Sequence, residues 1–260
     1  MCRHLCYLGP PVPLSSIVLD PPHSLLVQSY APRDMRGGGS VNADGFGVGW
    51  HPVAGEPWTA PSSAAGAVRP AVVQYRRSEP IWQDVAFAQL APQVRSGAML
   101  AAVRNATPGM PAGPAAAAPF VSDGWMFSLN GWVSGWPKSL ADLARGLPVE
   151  DLLTLDAPTD AALLWALVRC RLRDGVPAAD AVRAVIAEVL AVAPDSRLNL
   201  LLTDGVTAWA STVTHSLWVR SDPALVSSEP LDADPAWQPV PEASLVRMRR
   251  DSIHIEPLAG

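Results

Sequence analysis

A cysteine in second place can serve as a nucleophile that carries its own general base. Methionine aminopeptidases generally remove Met1 when a small side chain follows it, which would leave a thiol and a free α-amine on Cys2. An α-amine titrates near ~8, so near neutrality a useful fraction is unprotonated and can accept the thiol proton. A free cysteine is also commonly a small buried hydrophobe. Position alone leaves both interpretations of Cys2 open.

Three further segments contain groups that suit an amide substrate held beside such a thiol. They are Arg104-Asn105-Ala106-Thr107-Pro108-Gly109, Asn130-Gly131 and Thr159-Asp160. An arginine presents a planar fork of donors that can clamp a carboxylate. An aspartate can accept from an ammonium group, and an amide NH₂ with a backbone N–H can stabilise an oxyanion. Taken singly, each segment also has a structural interpretation: a surface salt bridge, a tight turn or a helix N-terminal acid.

Together, in this order and spacing, the four pieces resemble the N-terminal-nucleophile amidohydrolases of the class II glutamine amidotransferase type. The resemblance implies an α+β fold, a four-layer αββα sandwich of two antiparallel sheets with helices on the outer faces. It implies a single domain over residues 2–260. It also implies hydrolysis of a γ-glutamyl amide through a thioester on Cys2.

The same resemblance assigns a role to each matching residue. Cys2 is expected to be catalytic, with Asn130 and Gly131 forming the oxyanion hole. Substrate binding is expected from the remaining matches, Arg104 on the α-carboxylate with Thr107 beside it, and Asp160 on the α-ammonium.

Arg36 and two departures from the family pattern add to this prediction. Arg36, before a glycine-rich run, is a further candidate for positioning the nucleophile. Family members often have histidine where Pro108 stands, and an Asn-x-His-Pro stretch where this chain has Ala116-Ala117-Ala118-Pro119. Those histidines help line a glutamine pocket, so the departures argue against free glutamine as the substrate.

The opening residues 1–5, with segments 33–39 and 42–50, look closest to the amidohydrolases of bacterial ergothioneine biosynthesis. That likeness implies γ-glutamyl-hercynylcysteine sulfoxide as the small-molecule substrate. Two alternatives stay open: a glutaminase subunit that delivers ammonia to a separate synthase, and a non-catalytic protein that binds γ-glutamyl ligands.

Metal ligation by Cys2-x-His4-x-Cys6 is a competing interpretation of the N-terminus. Alternate strand residues lie ~6.6 Å apart, which separates the two sulfurs by ~13 Å. Zinc bonds of ~2.3 Å need much closer ligands. We therefore expect no metal and no organic cofactor, and we expect Cys6 and Cys170 to be core residues.

Composition narrows the class of protein. The 260 residues are 49% hydrophobic and 17% charged with a net charge of -5, which fits a buried globular core. Acidic and basic residues are mixed along the chain without a basic stripe, so we expect no nucleic-acid partner. Three cysteines and no long apolar run predict a cytoplasmic protein without a membrane partner.

The order of predicted elements is strands, two central helices, then more strands. Thr159 is placed to cap the first central helix, Pro177 precedes the second, and Asp204-Gly205 predicts a hairpin. Glycines at 45, 47 and 49 predict a strand whose backbone is closely approached. A further helix is expected over 84–94. Strands are expected over 2–9, 72–76, 98–103, 125–129, 198–203, 206–211, 217–220, 224–227 and 245–255.

Overall fold

The computed structural model describes residues 2–36, 41–53, 71–107 and 109–258. Its strands form two antiparallel sheets, as predicted. The first sheet has seven strands, which are β1 (Arg3–Pro13), β2 (Phe46–Trp50), β3 (Val73–Arg77), β4 (Arg95–Val103), β9 (Trp218–Ser221), β10 (Ala224–Ser227) and β11 (Gln238–Pro239). Their order across the sheet is β11-β9-β10-β1-β4-β2-β3.

The second sheet has six strands, which are β5 (Phe120–Ser122), β6 (Trp125–Trp132), β7 (Arg197–Thr203), β8 (Thr207–Thr212), β12 (Ser244–Arg249) and β13 (Ser252–Pro257). Their order across the sheet is β13-β12-β8-β7-β6-β5. The predicted Asp204-Gly205 hairpin joins β7 to β8, and Asp204 Oδ1 accepts from the Thr207 backbone N–H at 2.8 Å.

Helices cover the outer faces of both sheets. The α-helices are α1 (Ser15–Val18), α2 (Leu25–Tyr30), α3 (Val85–Leu90), α4 (Ala141–Arg145), α5 (Val149–Leu153), α6 (Asp160–Arg173) and α7 (Ala178–Val192). Short 3₁₀ turns occupy Ile81–Gln83, Pro114–Ala116 and Lys138–Leu140. Among the described residues, no helix combines the length and apolar character needed to cross a membrane.

Three apolar clusters separate the four layers of this αββα sandwich. One packs α6 and α7 against the second sheet, and another packs α1, α2 and α3 against the first. The third fills the space between the sheets with side chains from both, among them Cys6, Leu100 and Leu201. Each sheet is therefore covered on both faces, which explains why so many of its strand residues are fully buried.

Alternation along β1 decides which way the N-terminal side chains point. Leu5 and Tyr7 belong to the helix-side cluster, whereas Cys6 and Leu8 belong to the cluster between the sheets. Successive strand residues point to opposite faces. The strand therefore directs His4 towards the second sheet, where its Nδ1 lies 3.2 Å from the Ser128 hydroxyl.

The glycine-rich strand prediction is confirmed. β2 runs over Phe46–Trp50 between β3 and β4. A Cβ at Gly47 would overlap the backbone oxygen of Ala118, and one at Gly49 would lie 2.8 Å from the sulfur of Met126. Neighbouring groups therefore occupy the space that side chains at these positions would need.

Several element predictions are wrong in extent: β1 continues to Pro13 instead of ending at Gly9, and β4 begins at Arg95 instead of Ala98. Residues 245–255 were expected to form one strand but form the hairpin of β12 and β13, which turns between Arg249 and Ser252. The helix expected over 84–94 is shorter, since α3 ends at Leu90, two residues before Pro92, which has no backbone N–H to continue the helix.

Candidate functional site

A pocket at one end of the sandwich brings together residues from four separate parts of the chain. The register of β1 and β4 explains why Cys2 lies near Arg104. Arg3 on β1 pairs with Val103 on β4, so the residue before β1 lies beside the residues after β4. β6 and the start of α6 complete the wall. The lining residues are Cys2, Ala102, Val103, Arg104, Asn105, Ala106, Thr107, Met110, Ala116, Ala118, Phe120, Leu129, Gly131, Thr159, Asp160 and Ala161.

Cys2 lies partly exposed at this pocket. Its thiol lies 3.9 Å from the backbone oxygen of Asn105 and is oriented to donate to it. The side-chain Nδ2 of Asn105 donates to the backbone oxygen of Val41 at 2.7 Å. The cysteine predicted to act as the nucleophile therefore faces a cavity instead of packing into a core.

Arg104 is held in the wall by neighbouring backbone carbonyls. Its Nη1 donates to the oxygen of Asp44 at 3.4 Å and its Nη2 to that of Pro111 at 3.0 Å. The Asp44 carboxylate accepts from the Ala106 backbone N–H at 2.8 Å, which joins the two loops that carry these residues. Arg104 is only 8% exposed and lines the pocket together with Thr107. A guanidinium fixed by two carbonyls is preorganised for an anionic ligand.

Asp160 occupies the first turn of α6, where the predicted cap is confirmed. The Thr159 hydroxyl accepts from the Ala162 backbone N–H at 3.2 Å. The Asp160 carboxylate accepts from the backbone N–H groups of Val133 at 2.9 Å and Ala161 at 2.8 Å. Because these bonds fix both oxygens, the carboxylate keeps one orientation at the pocket wall.

Burial raises the pKa of Asp160 above its ordinary value. The two backbone bonds and the nearby charge of Arg104 act in the opposite direction, but they do not outweigh burial. A cationic ligand group placed against Asp160 would stabilise its charged form and so offset the cost of burying the carboxylate. The pocket thus offers a cation and an anion side by side, the complement of an amino acid head group.

Asn130 and Gly131 lie within β6 and do not form a turn. A Cβ at Gly131 would overlap the backbone oxygen of Arg197 on β7, so this position requires glycine. Gly131 lines the pocket, whereas the Asn130 side chain is 1% exposed and lies outside the lining.

The Asn130 amide lies near Ser228. Its Nδ2 donates to the Ser228 hydroxyl at 3.4 Å, and its Oδ1 is buried without a hydrogen-bond partner among the described residues. The two ends of a side-chain amide are assigned from the hydrogen-bond network. Rotating this amide by 180° would bring Oδ1 to the Ser228 hydroxyl and turn the NH₂ to the other side.

Arg36 does not reach the pocket lining. Its Nε donates to both carboxylate oxygens of Asp34 at 3.0 Å, and its side chain is 51% exposed. Pro108 and the glycines that follow Arg36 lie outside the described residues. Of the seven predicted site residues, the lining contains Cys2, Thr107, Arg104, Gly131 and Asp160.

Sequence reasoning missed the apolar side of the pocket and a buried ionic group behind Cys2. Met110, Ala116, Ala118, Phe120 and Leu129 supply the apolar side. Ala116 and Ala118 therefore lie in the pocket wall, within the stretch where members of the resembled family often have Asn-x-His-Pro. The ionic group joins Arg3 to Glu229, a residue that no local pattern had marked.

The metal interpretation of the N-terminus finds no support in the side chains. Cys6 is fully buried in the apolar cluster between the sheets, and burial raises the pKa of its thiol to about 12. Metal ligation requires a thiolate. Among the described residues, no group of three or more His, Cys, Asp or Glu side chains is placed to hold a metal ion. Cys170 is half-buried and packs against the cluster beneath α6 and α7.

Comparison with known proteins identifies the family. The chain is 38% identical over 262 residues to the γ-glutamyl-hercynylcysteine sulfoxide hydrolase of Mycolicibacterium smegmatis, covering 99% of this chain and 100% of that protein. The chain belongs to the γ-glutamyl-hercynylcysteine sulfoxide hydrolase family. The hydrolase of the same name from Mycobacterium tuberculosis CDC 1551 is 36% identical, covering 99% of this chain and 97% of that one. No family model matches the chain.

Solved structures confirm the fold of this hydrolase family member. A glutamine aminotransferase class-II domain protein from Silicibacter pomeroyi matches with a TM-score of 0.63 at 22% identity, covering all of both chains. The glutamine phosphoribosylpyrophosphate amidotransferase of B. subtilis matches with a TM-score of 0.62 at 12% identity, covering all of this chain and 49% of that one. The predicted N-terminal-nucleophile hydrolase fold is therefore confirmed.

Proposed function

We propose that this protein hydrolyses the γ-glutamyl amide bond of γ-glutamyl-hercynylcysteine sulfoxide, releasing glutamate and hercynylcysteine sulfoxide. The observation that carries the proposal is the convergence of Cys2, Arg104 and Asp160 on one pocket. The names of the full-length relatives support the same substrate.

The γ-glutamyl head group fits the charges of the pocket. Arg104, held by two carbonyls, binds the α-carboxylate, and Thr107 lies beside it. Asp160 accepts from the α-ammonium, which compensates the buried carboxylate. With both ends of the amino acid held, the γ-carbonyl is directed towards Cys2. Such fixed geometry contributes to catalysis by lowering the entropy cost of reaction.

The reaction follows from a thiol that shares its residue with an amine. After removal of Met1, the α-amine of Cys2 takes the thiol proton, and the thiolate forms a C–S bond to the γ-carbonyl carbon. The backbone N–H of Gly131 and the amide of Asn130 stabilise the oxyanion. The protonated α-amine then gives its proton to the leaving nitrogen as the C–N bond breaks. Water, deprotonated by the same amine, then forms a C–O bond at the thioester carbon as the C–S bond breaks, which releases glutamate. The proton on the amine returns to the Cys2 sulfur, so the cycle closes without a cofactor.

Two broader assignments belong to this proposal. The substrate class is a small γ-glutamyl compound, and the reaction takes place in the cytoplasm. The apolar wall at Ala116 and Ala118 supports a substrate other than free glutamine. This chain has alanine there, in the stretch where glutamine-binding family members often have a histidine that lines the glutamine pocket.

The test is glutamate release from γ-glutamyl-hercynylcysteine sulfoxide, from γ-glutamylcysteine and from glutamine. We expect the sulfoxide to give the highest kcat/KM. Cys2→Ala should bind the substrate without turning it over, whereas Cys170→Ala, at the other half-buried cysteine, should remain active. Mass spectrometry should show active enzyme without Met1. Turnover by Cys2→Ala would exclude the mechanism, and efficient ammonia release from glutamine would favour a glutaminase subunit instead.

A further inference from the structure

Glu229, just after β10, is a buried carboxylate with four donors directed at it. Oε1 accepts from Arg3 Nε at 3.1 Å and from the Asp34 backbone N–H at 3.2 Å. Oε2 accepts from the Arg33 backbone N–H at 2.8 Å and lies 2.7 Å from His23 Nε2. The carboxylate therefore ties together β1, the segment before α2, and the loop that follows α2.

Arg3 extends this network to the proposed nucleophile. While its Nε bonds to Glu229, its Nη1 donates to the backbone oxygen of Cys2 at 3.1 Å. Its Nη2 donates to the backbone oxygen of Asp34. The Arg3 side chain is 2% exposed, and so is that of Glu229. One rigid guanidinium thus holds three fixed oxygen atoms from three parts of the chain.

The surrounding donors stabilise the negative charge of the buried Glu229 carboxylate. Burial by itself would raise the pKa of Glu229, but the bonds from His23 and the Arg33 backbone, with the charge of Arg3, hold that pKa below its ordinary value. Gln28 Nε2 donates to the backbone oxygens of Glu229 at 3.3 Å and His23 at 2.9 Å, which also fixes the backbone around the carboxylate. A buried ion pair with its oxygens satisfied in this way has a defined geometry.

A nucleophile at a chain terminus has a particular positional problem. Once Met1 is removed, no preceding peptide bond restrains Cys2, and only the Cys2–Arg3 peptide connects it to the fold. The carbonyl of that peptide is the group that Arg3 Nη1 holds. Fixing it restricts the rotations that aim both the thiol and the α-amine.

We propose that Arg3 and Glu229 are positioning residues, which orient the Cys2 thiol and α-amine towards the γ-carbonyl by holding the Cys2 carbonyl. This inference rests on the proposed role of Cys2. Glu229 would then affect the rate of catalysis although its carboxylate does not line the pocket. Misplacement of reacting groups by about 1 Å can cost about 10²-fold in rate, so the effect should appear in kcat.

Two variants test the proposal in the full chain. Glu229→Gln keeps the side-chain shape but removes the charge that orients Arg3. Arg3→Lys keeps a cation but cannot hold three oxygens with one planar fork. We expect kcat to fall by about 10- to 100-fold in each, with KM changing by less than about 3-fold, because the substrate-binding residues are untouched.

Asp151→Asn is the matched control. Asp151 is also a buried carboxylate, with a side chain 5% exposed, and it binds Arg169 and Arg173 between α5 and α6. Asp151 lies outside the pocket lining, and neither of the two arginines that it binds lines the pocket. We expect this variant to lower the melting temperature while kcat stays within about 2-fold of the wild type.

A readout without substrate separates this inference from the proposed function. The rate at which iodoacetamide alkylates Cys2, located by peptide mass spectrometry, should fall in Glu229→Gln and Arg3→Lys but not in Asp151→Asn. A change in alkylation with no γ-glutamyl hydrolysis by the wild type would refute the proposed substrate and leave the positioning of Cys2 supported.

Several outcomes would overturn the positioning role. Unchanged kcat and alkylation in both variants would do so, and so would a rise in KM alone. An equal loss of kcat in Asp151→Asn would show that general destabilisation is the cause. If Glu229→Gln does not fold, Arg3→Lys decides the question. Failure of both to fold, with Asp151→Asn folded, would make the pair a folding requirement and reject the proposal.

Discussion

Acidification from pH 7 to pH 5 should destabilise this protein mainly through two buried histidines, His4 and His215. Both are 2% exposed or less. Burial, as the largest cause, lowers the pKa of each to about 3, and positive charges nearby act in the same direction. For His215 these charges include Arg197 and Arg3. Neither ring nitrogen of His215, nor Nε2 of His4, has a hydrogen-bond partner among the described residues.

The sign follows from proton binding in the two states. In unfolded chains a histidine has a pKa near 6.5, so between about pH 6.5 and pH 3 the unfolded state binds protons that the folded state does not. Stability from the two neutral rings is therefore complete above about pH 6.5 and decreases as the pH falls towards 3. Between pH 7 and pH 5, each ring should lower the free energy of unfolding by about 2 kcal/mol, and both together by about 4 kcal/mol.

Urea unfolding at pH 7, 6 and 5 measures this difference. The double variant His4→Gln/His215→Gln cannot titrate at these positions, so it should lose about 4 kcal/mol less than the wild type over the interval, whatever its stability at pH 7. His254→Gln is the control, because His254 is exposed on β13. The contribution of about 4 kcal/mol from His4 and His215 should persist in this variant, which keeps both buried rings.

The reasoning fails if wild type and double variant lose stability in parallel between pH 7 and pH 5. That result would mean that the two rings take up protons in the folded state as readily as in the unfolded one. A smaller difference, near 2 kcal/mol, would assign the effect to one ring, and the single variants would show which.

Two further substitutions test the pocket. Gly131→Ala should reduce stability by about 1–3 kcal/mol, because its Cβ would overlap the Arg197 oxygen and force β6 from β7; an unchanged melting temperature would contradict this. It should also lower kcat by displacing a proposed oxyanion donor. Arg104→Lys should lower kcat/KM for γ-glutamyl substrates by about 10-fold or more, because one ammonium cannot replace a bidentate fork. Wild-type kcat/KM in this variant would refute the carboxylate clamp, and Arg95→Lys on β4 is its exposed control.

Local sequence patterns were sufficient for most of the strands and for α3, α6 and α7, whereas the short helices α1, α2, α4 and α5 were not predicted. Alternating apolar residues predicted the strands, and Thr159 predicted the start of α6 through a bond that spans only three residues. The hairpin between β12 and β13 was missed because Arg249-Arg250-Asp251-Ser252 contains no glycine or asparagine to mark a turn. The extent of α3 was overestimated because Pro92, which cannot donate a helical hydrogen bond, was included in the expected helix.

The candidate site shows the same division. The chemical types of Cys2, Arg104, Gly131 and Asp160 were evident from the sequence, since motif order does not depend on knowing the pairing of strands. The positioning role expected for Arg36 stays a prediction; in the structure its guanidinium is paired with the Asp34 carboxylate.

The sequence by itself determined the fold class, the nucleophile candidate and the charged groups that face it. These features depend on residue type and on spacing along the chain. Only the tertiary structure decided that Glu229, 226 residues from Arg3, is paired with the arginine next to Cys2. It also decided that His4 and His215 are buried, and that Nε2 of His4 and both ring nitrogens of His215 have no hydrogen-bond partner among the described residues. The physical reason is that burial and long-range ion pairs arise from strand register and sheet packing, which bring together groups that no local pattern relates.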